Sequence, residues 1–479
     1  MADESAAGRC AGAYIRPMSS PTVSPQCNEP STSPSTLTPA RTPHKLGLVG
    51  ATALVVGNIV GVGVFMLPAS LAPFGWSTMT GWALTLSGSL CLAWVFAVLA
   101  KHLPHAGGAT GILGVALGRG PAFVTAWGYW MSACVSNAAI TIGGVSYLGR
   151  LVPSLTESPM VAAVTGCGML ALLGYLNSRG LKVAGAAQVI TTLVKMLPFV
   201  VALGVAALLF ARGGTAILAP FDASTLTFSA ATGAAALTLY SMLGIECAAM
   251  PAEAVNDPER TVPRATMIGT VLTGVLSMSV TGLLVLTMPA AELAASAAPV
   301  ADFVSPVLGR GMGTLITLCV VIGAFGALNG WVLVVGEVPA AMSDNGLLPA
   351  WWGQRNARGA AMNSVLVSGV LACVLIMLNG SPRLTNMYTF VLLLSTTTTL
   401  ALYLLAPVAA LVLAYRGTVP RTPALLLASV GAIAFACFAF AGAGLEANLW
   451  GLLLIFAGVP LHLYMQRRAA RQAAGQSVD

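Results

Sequence analysis

The stretch GNIVGVGVF, residues 57–65, interrupts the first of many apolar segments with glycine at three of its nine positions. A later apolar segment is interrupted in a similar way by SMLGIE, residues 241–246. About 180 residues and five predicted membrane spans separate the two interruptions, so the second unit of five spans enters the membrane upside down relative to the first. Inverted repeats that each begin with a broken helix bind their substrate near the bilayer midplane, between the breaks.

Each break exposes backbone groups that a continuous helix would pair. N–H groups at the N-terminus of a half-helix attract an anion such as a carboxylate, and unpaired carbonyl groups attract an ammonium. An amino acid carries both groups, so it is the substrate class that the breaks favour. The glycines could instead serve only close helix packing, but two breaks at matching positions favour a role in transport.

The composition indicates a membrane protein. Hydrophobic residues make up 57% of the chain and charged residues 8%, whereas soluble domains carry about 25% charged residues. A block of about 20 apolar residues spans the hydrocarbon layer as a helix, and in lipid the backbone must pair within its own segment. We therefore predict an all-α polytopic membrane protein with about 12 transmembrane helices. The predicted spans are 47–72, 77–100, 121–150, 159–177, 184–211, 229–252, 265–288, 311–342, 361–379, 386–414, 423–443 and 446–465.

The domain organisation follows from these spans. Residues 1–45 are rich in Ser, Thr and Pro and are predicted to be a disordered tail. The transmembrane transporter domain is predicted over 46–466, and a short C-terminal tail over 467–479. Within the domain, the sequence predicts repeat one over 46–211, repeat two over 229–414, and helices 11 and 12 over 423–465.

Basic residues set the predicted orientation. Of the 22 Lys and Arg residues, the predicted inner segments hold 17 and the outer loops hold four. This bias predicts a multi-pass protein of the cell (cytoplasmic) membrane with both termini in the cytoplasm. The net charge of +7 is then a signal of topology, and no nucleic-acid partner is expected.

Enzymatic and metal-binding classes find no support in the sequence. The cysteines show no paired spacing and the four histidines lie at predicted membrane edges, so neither a cofactor nor a metal site is predicted. No nucleophile–base pair is visible, which argues against an enzyme. A channel is disfavoured because no filter loop or ring of charges is present. A substrate-sensing receptor is the alternative class, because the N-terminal tail could signal.

Three charged residues lie well inside predicted spans: Lys195, Glu246 and Glu337. Each is costly in lipid and needs a partner, a cavity or a role. Glu246 follows the second break and is interpreted as a proton-linked gate or a counter-charge, against a purely structural carboxylate. Lys195 is interpreted equally as a proton site or as a fixed ammonium on unwound carbonyls. Glu337 is expected near the inner end of span 8.

Polar and aromatic residues recur on one face of two spans. In span 3, Tyr129, Ala133 and Asn137 follow each other at intervals of four, with Ser132 and Ser136 beside them. In span 10 the same spacing joins Ser395, Thr399 and Tyr403. Span 8 carries Trp331 next to a glycine, and Trp is the best cation–π partner.

Taken together, these stretches resemble the amino acid–polyamine–organocation (APC) transporters. Within that superfamily the sequence is most similar to the basic amino acid/polyamine antiporters of the arginine/agmatine exchanger type. The resemblance covers roughly residues 45–465. It is carried by the motifs at 57–69, 104–108, 129–137, 241–246, 256–263, 330–331 and 344–349.

The resemblance implies a fold, an assembly and a set of roles. The fold would be a LeuT-type 5+5 inverted repeat with two further helices, often found as a homodimer. The implied substrate-binding residues are Asn58, Gly61, Val62, Gly63, Ser132, Ala133, Asn137, Tyr240, Ser241, Trp331 and Ser395. The implied gating or proton-linked residues are Tyr129, Glu246, Lys195 and Tyr403.

Three departures from the pattern of these exchangers bear on the substrate. Val62 replaces a serine, which removes a hydroxyl for the substrate carboxylate, and Tyr240 replaces a tryptophan. Lys195 replaces an apolar residue and resembles the span 5 lysine of proton-coupled symporters. The expected function is an exchanger of a cationic amino acid, of its amine product, or of both. The alternative is a proton-coupled amino acid symporter of broader specificity, with Lys195 as the proton site.

Overall fold

The computed structural model describes residues 47–104, 108–178, 181–246, 255–378 and 384–475, which fold into helices without a β-strand. The predicted tail over 1–45, residues 105–107 of one motif and Cys247 lie outside this part of the chain. The helices are α1 (Leu48–Ile59), α2 (Gly63–Leu71), α3 (Ser77–His102), α4 (Gly108–Leu117), α5 (Arg119–Leu151), α6 (Pro159–Ser178), α7 (Leu181–Gly213), α8 (Phe228–Tyr240), α9 (Pro258–Thr287), α10 (Ala290–Ala295), α11 (Pro299–Leu308), α12 (Arg310–Asp344), α13 (Met362–Leu378), α14 (Leu384–Tyr415), α15 (Pro423–Gly442), α16 (Leu445–Phe456) and α17 (Val459–Gly475).

The prediction of an all-α polytopic membrane protein is confirmed. Nine helical stretches in the described residues are long and apolar enough to cross a membrane, or ten if the bent pair α1 and α2 is one span. The predicted spans 6 and 9 correspond to α8, with 13 residues, and α13, with 17 residues. Within the described residues, both are shorter than the about 20 residues of a full crossing, so the count of twelve stays a prediction.

The first span is broken as the glycines predict. Its two halves, α1 and α2, are bent by 42° at a break of three residues. Val60 ends α1 in an extended conformation, with φ of −74° and ψ of 93°. Between the two halves, Gly61 N–H donates to the carbonyl of Ile59 at 2.9 Å, and Met66 N–H donates to the carbonyl of Val62 at 3.1 Å as α2 begins. The regular helical pairing of the backbone is therefore interrupted at the break.

The second break lies directly against the first. Helix α8 ends at Tyr240, and Gly244 four residues later has a φ of +108°, which favours glycine. A Cβ at Gly244 would lie 3.3 Å from the carbonyl carbon and oxygen of Asn58. The two interrupted segments are therefore in contact, and a side chain at Gly244 would separate them. The rest of predicted span 6, residues 247–252, lies outside the described residues.

Helix α5 forms the centre of the bundle. Every residue from 128 to 147 is buried, and 94% of the most apolar stretch of α5 is enclosed, against 33% for α6. Helices α12 and α14 pack along α5. Because α5 is enclosed on all sides, its polar side chains face other helices, where they can contact a substrate or hold the bundle together.

Short helices outside the spans were not predicted. Helix α11 is tied to the C-terminal end of α5 through the ion pair of Arg150 with Asp302. Val300 N–H also donates to the Tyr147 hydroxyl at 3.3 Å. The same hydroxyl donates to the carbonyl of Phe65 on α2 at 3.0 Å. Tyr147 thus joins α11, α5 and the second half of the broken helix.

Candidate functional site

A small enclosed cavity lies where the breaks meet. Its volume is about 20 Å³, which is the room of roughly one water molecule. The predicted site residues that line it are Asn58, Gly61, Gly63, Tyr240, Ser241 and Trp331. The structure therefore brings together residues from spans 1, 6 and 8, in a closed arrangement with no room for an amino acid or amine.

Backbone at the break forms one wall of the cavity. No side chain caps the first turn of α2. Phe65 and Met66 N–H donate to the carbonyl of Val62, so the N–H groups of Gly63 and Val64 are those that face outward from the start of the helix. The carbonyl of Gly63 accepts a hydrogen bond from the Tyr388 hydroxyl at 3.3 Å. The break thus presents donors of the kind that bind a carboxylate or a hydroxyl.

Two aromatic rings form other walls. A Cβ at Gly63 would lie 2.9 Å from Cε1 of Tyr240, so this ring lies directly on the glycine backbone. The Tyr240 hydroxyl is buried and lies close to the side chain of Ser136. Trp331 on α12 is 7% exposed and also lines the cavity. Aromatic faces and a hydroxyl oxygen suit an ammonium with an aliphatic stem.

Helix α5 contributes different residues from those expected. Ser136 and Ile140 line the central cavity. Ser132 instead donates to the carbonyl of Ser395 at 3.0 Å. The Ser136 and Ser395 hydroxyls are 2.6 Å apart. Ser132 and Ser395, with the hydroxyl of Thr399 beside Ser132, bind α5 to α14 and do not line the cavity.

Three further predicted residues lie away from the central cavity. Ala133 is fully buried and does not line it. Val62 turns towards α5, where a Cβ at Gly143 would lie 2.9 Å from its Cγ1. Asn137 lines a separate, larger cavity, and its Oδ1 is buried without a hydrogen-bond partner.

Glu246 connects the second break to the bundle. It is 2% exposed, and its Oε2 accepts a hydrogen bond from the Tyr403 hydroxyl of α14 at 2.6 Å. Tyr129 of α5 also hydrogen-bonds this carboxyl group, and the Gly244 N–H approaches Oε2 at 3.3 Å. The three predicted gating residues Tyr129, Glu246 and Tyr403 therefore meet at one point beside the break.

Lys195 is joined to the first break. Its side chain is fully buried, and Nζ donates to the carbonyl of Gly57 on α1 at 3.1 Å. A Cβ at Gly323 would lie 2.8 Å from Cγ of Lys195, so this glycine makes room for the lysine stem against α12. A cation near the C-terminus of a half-helix is favourable to the helix dipole. Of the side chains described, Lys195 and Glu246 are the only buried Lys, Arg, Asp or Glu.

Glu337 lies at the predicted end of α12 and not in the central cavity. Its two carboxylate oxygens accept hydrogen bonds from Arg355 at 2.9 and 2.8 Å. These hydrogen bonds raise the pKa of the Arg355 guanidinium above its usual value. The pair fixes the loop that follows α12.

Two interrupted helices that meet at an enclosed cavity, inside a polytopic bundle with a buried carboxylate beside the cavity, define a membrane carrier. The chain belongs to the amino acid permease family, whose sequence pattern matches residues 46–460. This confirms the resemblance to the APC superfamily.

Relatives of known activity agree with that family. The chain is 28% identical to the putrescine transporter PotE of Escherichia coli (strain K12) over 428 residues, which are 88% of this chain and 95% of PotE. The putrescine transporter PotE of Haemophilus influenzae is also 28% identical, over 88% of this chain and 96% of its own length. The cadaverine/lysine antiporter of Escherichia coli (strain K12) is 30% identical over 348 residues, covering 70% of this chain and 74% of the antiporter.

Proposed function

We propose that this chain exchanges cationic amines across the cytoplasmic membrane, taking a diamine such as putrescine or cadaverine, or the matching basic amino acid. The observation that carries the proposal is the lining of the central cavity. It presents two aromatic rings, hydroxyl groups and open backbone, and no Lys or Arg among the described residues that line it. An ammonium fits such a lining through cation–π contact and hydrogen bonds.

The arrangement of Val62 favours the amine end of this substrate range. The serine that the exchangers of the resembling group carry here would offer a hydroxyl to a carboxylate. Val62 offers none and packs towards Gly143 of α5. A diamine has no carboxylate and loses nothing by this change, and the putrescine and cadaverine names of the relatives fit it.

The cavity must open during the cycle. A volume of about 20 Å³ admits roughly one water molecule, so a bound diamine requires movement of Tyr240, Trp331 or the half-helices. We propose that Glu246, held by Tyr129 and Tyr403, couples this movement to the state of the site. Further parts of the proposal are cytoplasmic termini and assembly as a homodimer.

Counterflow in proteoliposomes tests the exchange. Vesicles loaded with unlabelled putrescine should take up labelled putrescine, and empty vesicles should take up little. Outside competitors should rank putrescine, cadaverine and lysine above leucine. Equal uptake into empty vesicles driven by a pH gradient would overturn exchange and indicate the proton-coupled symport alternative. Competition by leucine alone would overturn the cationic substrate class.

A further inference from the structure

A second cavity, much larger than the central one, lies between α6 and α13. Its volume is about 760 Å³, within the roughly 300–1,000 Å³ of ligand-binding pockets. The floor includes Asn137 of α5 and Val332 of α12. We call it the lateral groove, and the wall residues that matter below are Leu170, Gly174, Ser178, Gly369, Val370 and Cys373.

The lateral groove is long and follows the helix axes. Its lining on α6 runs from Cys167 to Ser178, and on α13 from Met362 to Leu378. At 1.5 Å per residue these stretches are about 16 and about 24 Å long, so they extend over one half to four fifths of a hydrocarbon layer about 30 Å thick. A slot of this shape suits a rod-like molecule aligned with the membrane normal.

The groove faces the hydrocarbon. Residues beside it on both helices are exposed, among them Leu172 at 50%, Leu366 at 59% and Val370 at 62%. Its walls are almost wholly apolar, so water has few partners there. Gly369 has no atom within 4 Å of an added Cβ, and Gly174 meets only Val365 at 3.8 Å. The protein itself leaves this volume unfilled, and the surrounding acyl chains are the molecules of matching polarity and shape.

One mouth of the groove carries a positive charge. Ser178 lines the groove at the end of α6, and its carbonyl accepts a hydrogen bond from Asn356 Nδ2 at 3.3 Å. The Asn356 side chain in turn accepts from the N–H of Arg358 at 2.9 Å, which holds the exposed Arg358 close to this mouth. A basic residue at the membrane surface attracts anionic lipid headgroups.

We propose that the lateral groove binds one acyl chain of an anionic phospholipid, whose headgroup lies at Arg358. The floor residues Asn137 and Val332 each follow a residue that lines the central cavity, namely Ser136 and Trp331. The bound chain therefore packs against the back of the wall that encloses the substrate. This makes the lipid a structural partner of the transport site.

Native mass spectrometry of the purified full-length protein tests this. Wild-type protein in detergent is supplied with phosphatidylglycerol or phosphatidylcholine, and the retained lipid is counted. Gly369→Trp introduces a large side chain at a groove position where an added Cβ meets no atom within 4 Å, and we expect this variant to lose the retained lipid. Gly168→Trp is the matched control, because Gly168 lies exposed on α6 with no atom within 4 Å, outside the groove lining. We expect Arg358→Gln to lower the preference for phosphatidylglycerol by about five-fold.

A second measurement works on the unaltered chain. Cys167 and Cys373 both line the groove and contact each other there. Phosphatidylglycerol should slow their reaction with N-phenylmaleimide, followed by peptide mapping, more than phosphatidylcholine does. Equal retention of lipid by Gly369→Trp and wild type, or thiol reactivity unaffected by either lipid, would overturn the proposal. Conversion of a dimer to a monomer in Gly369→Trp, with lipid retention unchanged, would assign the groove to a second copy of this chain.

Discussion

Trp331 is the residue on which recognition of a cation depends most directly. A cation–π contact contributes about 0.5–1 kcal/mol at an exposed site and about 2 kcal/mol when the ring is desolvated. We therefore expect Trp331→Leu to raise the putrescine concentration for half-maximal counterflow by roughly tenfold, near the upper part of that range. Trp94 on α3 is 39% exposed and does not line the central cavity, so Trp94→Leu is the control. Unchanged affinity in Trp331→Leu would remove this ring from the site.

Glu246 provides the test of proton linkage. Gln at this position keeps an oxygen that accepts the 2.6 Å hydrogen bond from Tyr403 but cannot exchange a proton. We expect counterflow by Glu246→Gln to lose most of its dependence on pH. Glu337→Gln is the matched control, because Glu337 pairs with Arg355 away from the cavity. If Glu337→Gln lost the pH dependence of counterflow and Glu246→Gln kept it, the assignment of Glu246 as the proton-linked residue would be refuted.

Residue by residue, the sequence predicted only part of the lining of the central cavity. Glycines that interrupt apolar runs and charged residues inside spans mark positions that cost stability, so the positions from spans 1, 6 and 8 were recognisable. Helix α5 was harder. Ser132 and Ser136 are both buried and both polar, and a helix buried on every side has no polar face to reveal which serine lines a cavity. Ser136 could be recognised as the cavity-lining serine only once Ser132 was seen to pack against α14.

At the scale of elements, two glycines at the break between α1 and α2 differ in how closely other residues pack against them. A Cβ at Gly63 would lie 2.9 Å from the Tyr240 ring, whereas a Cβ at Gly61 would lie 3.7 Å from Ala327. Overpacking costs about 1–3 kcal/mol, so we expect Gly63→Ala to slow putrescine exchange by about tenfold or more. Gly61→Ala, an ordinary van der Waals contact, should remain near wild type. Equal rates in the two variants would show that the ring does not rest on the break.

Helix α3 packs closely against α8, the helix that ends at the second break. A Cβ at Gly81 would lie 2.5 Å from Cβ of Ala234 and 2.8 Å from its carbonyl carbon. Replacing Gly by Ala inside a helix gains up to about 1 kcal/mol of helix propensity, but overpacking against backbone costs about 1–3 kcal/mol. We expect Gly81→Ala to lower the thermal midpoint of monodisperse protein in detergent.

A matched Gly→Ala substitution at an uncrowded position should not lower the thermal midpoint. Gly204 on α7 has no atom within 4 Å of an added Cβ, so Gly204→Ala keeps the propensity gain without the clash. Its thermal midpoint should equal or exceed that of the wild type. Equal midpoints for Gly81→Ala and Gly204→Ala would show that α3 and α8 separate at little cost.

Long elements were predictable and short ones were not. A span of about 20 apolar residues is required by the thickness of the bilayer, so the sequence shows it directly. Helix α11 has ten residues and lies outside the spans, where neither lipid nor a buried face imposes a long pattern. Its position depends on Arg150 and Tyr147 of α5, contacts between residues about 150 apart that no local pattern contains.

For the whole molecule, composition determines the class while charge determines the orientation. Scarcity of charge forces the helices into lipid, and the two breaks meet because Gly244 has no side chain to keep them apart. Orientation is a separate property, because an upside-down bundle would have the same internal packing. It rests on the loops, where residues such as Arg355 and Arg358 follow α12.

Labelling of single cysteines measures this orientation. In a variant with the nine native cysteines replaced and counterflow retained, Thr215→Cys lies on the exposed turn after α7, and Ala357→Cys lies on the exposed loop after α12. The positive-inside rule places the basic loop in the cytoplasm. We expect an impermeant maleimide to label Thr215→Cys in intact cells, and Ala357→Cys only after permeabilisation. The reverse pattern would show the opposite orientation of the bundle in the membrane. The mouth of the lateral groove beside Arg358 would then face the outer leaflet.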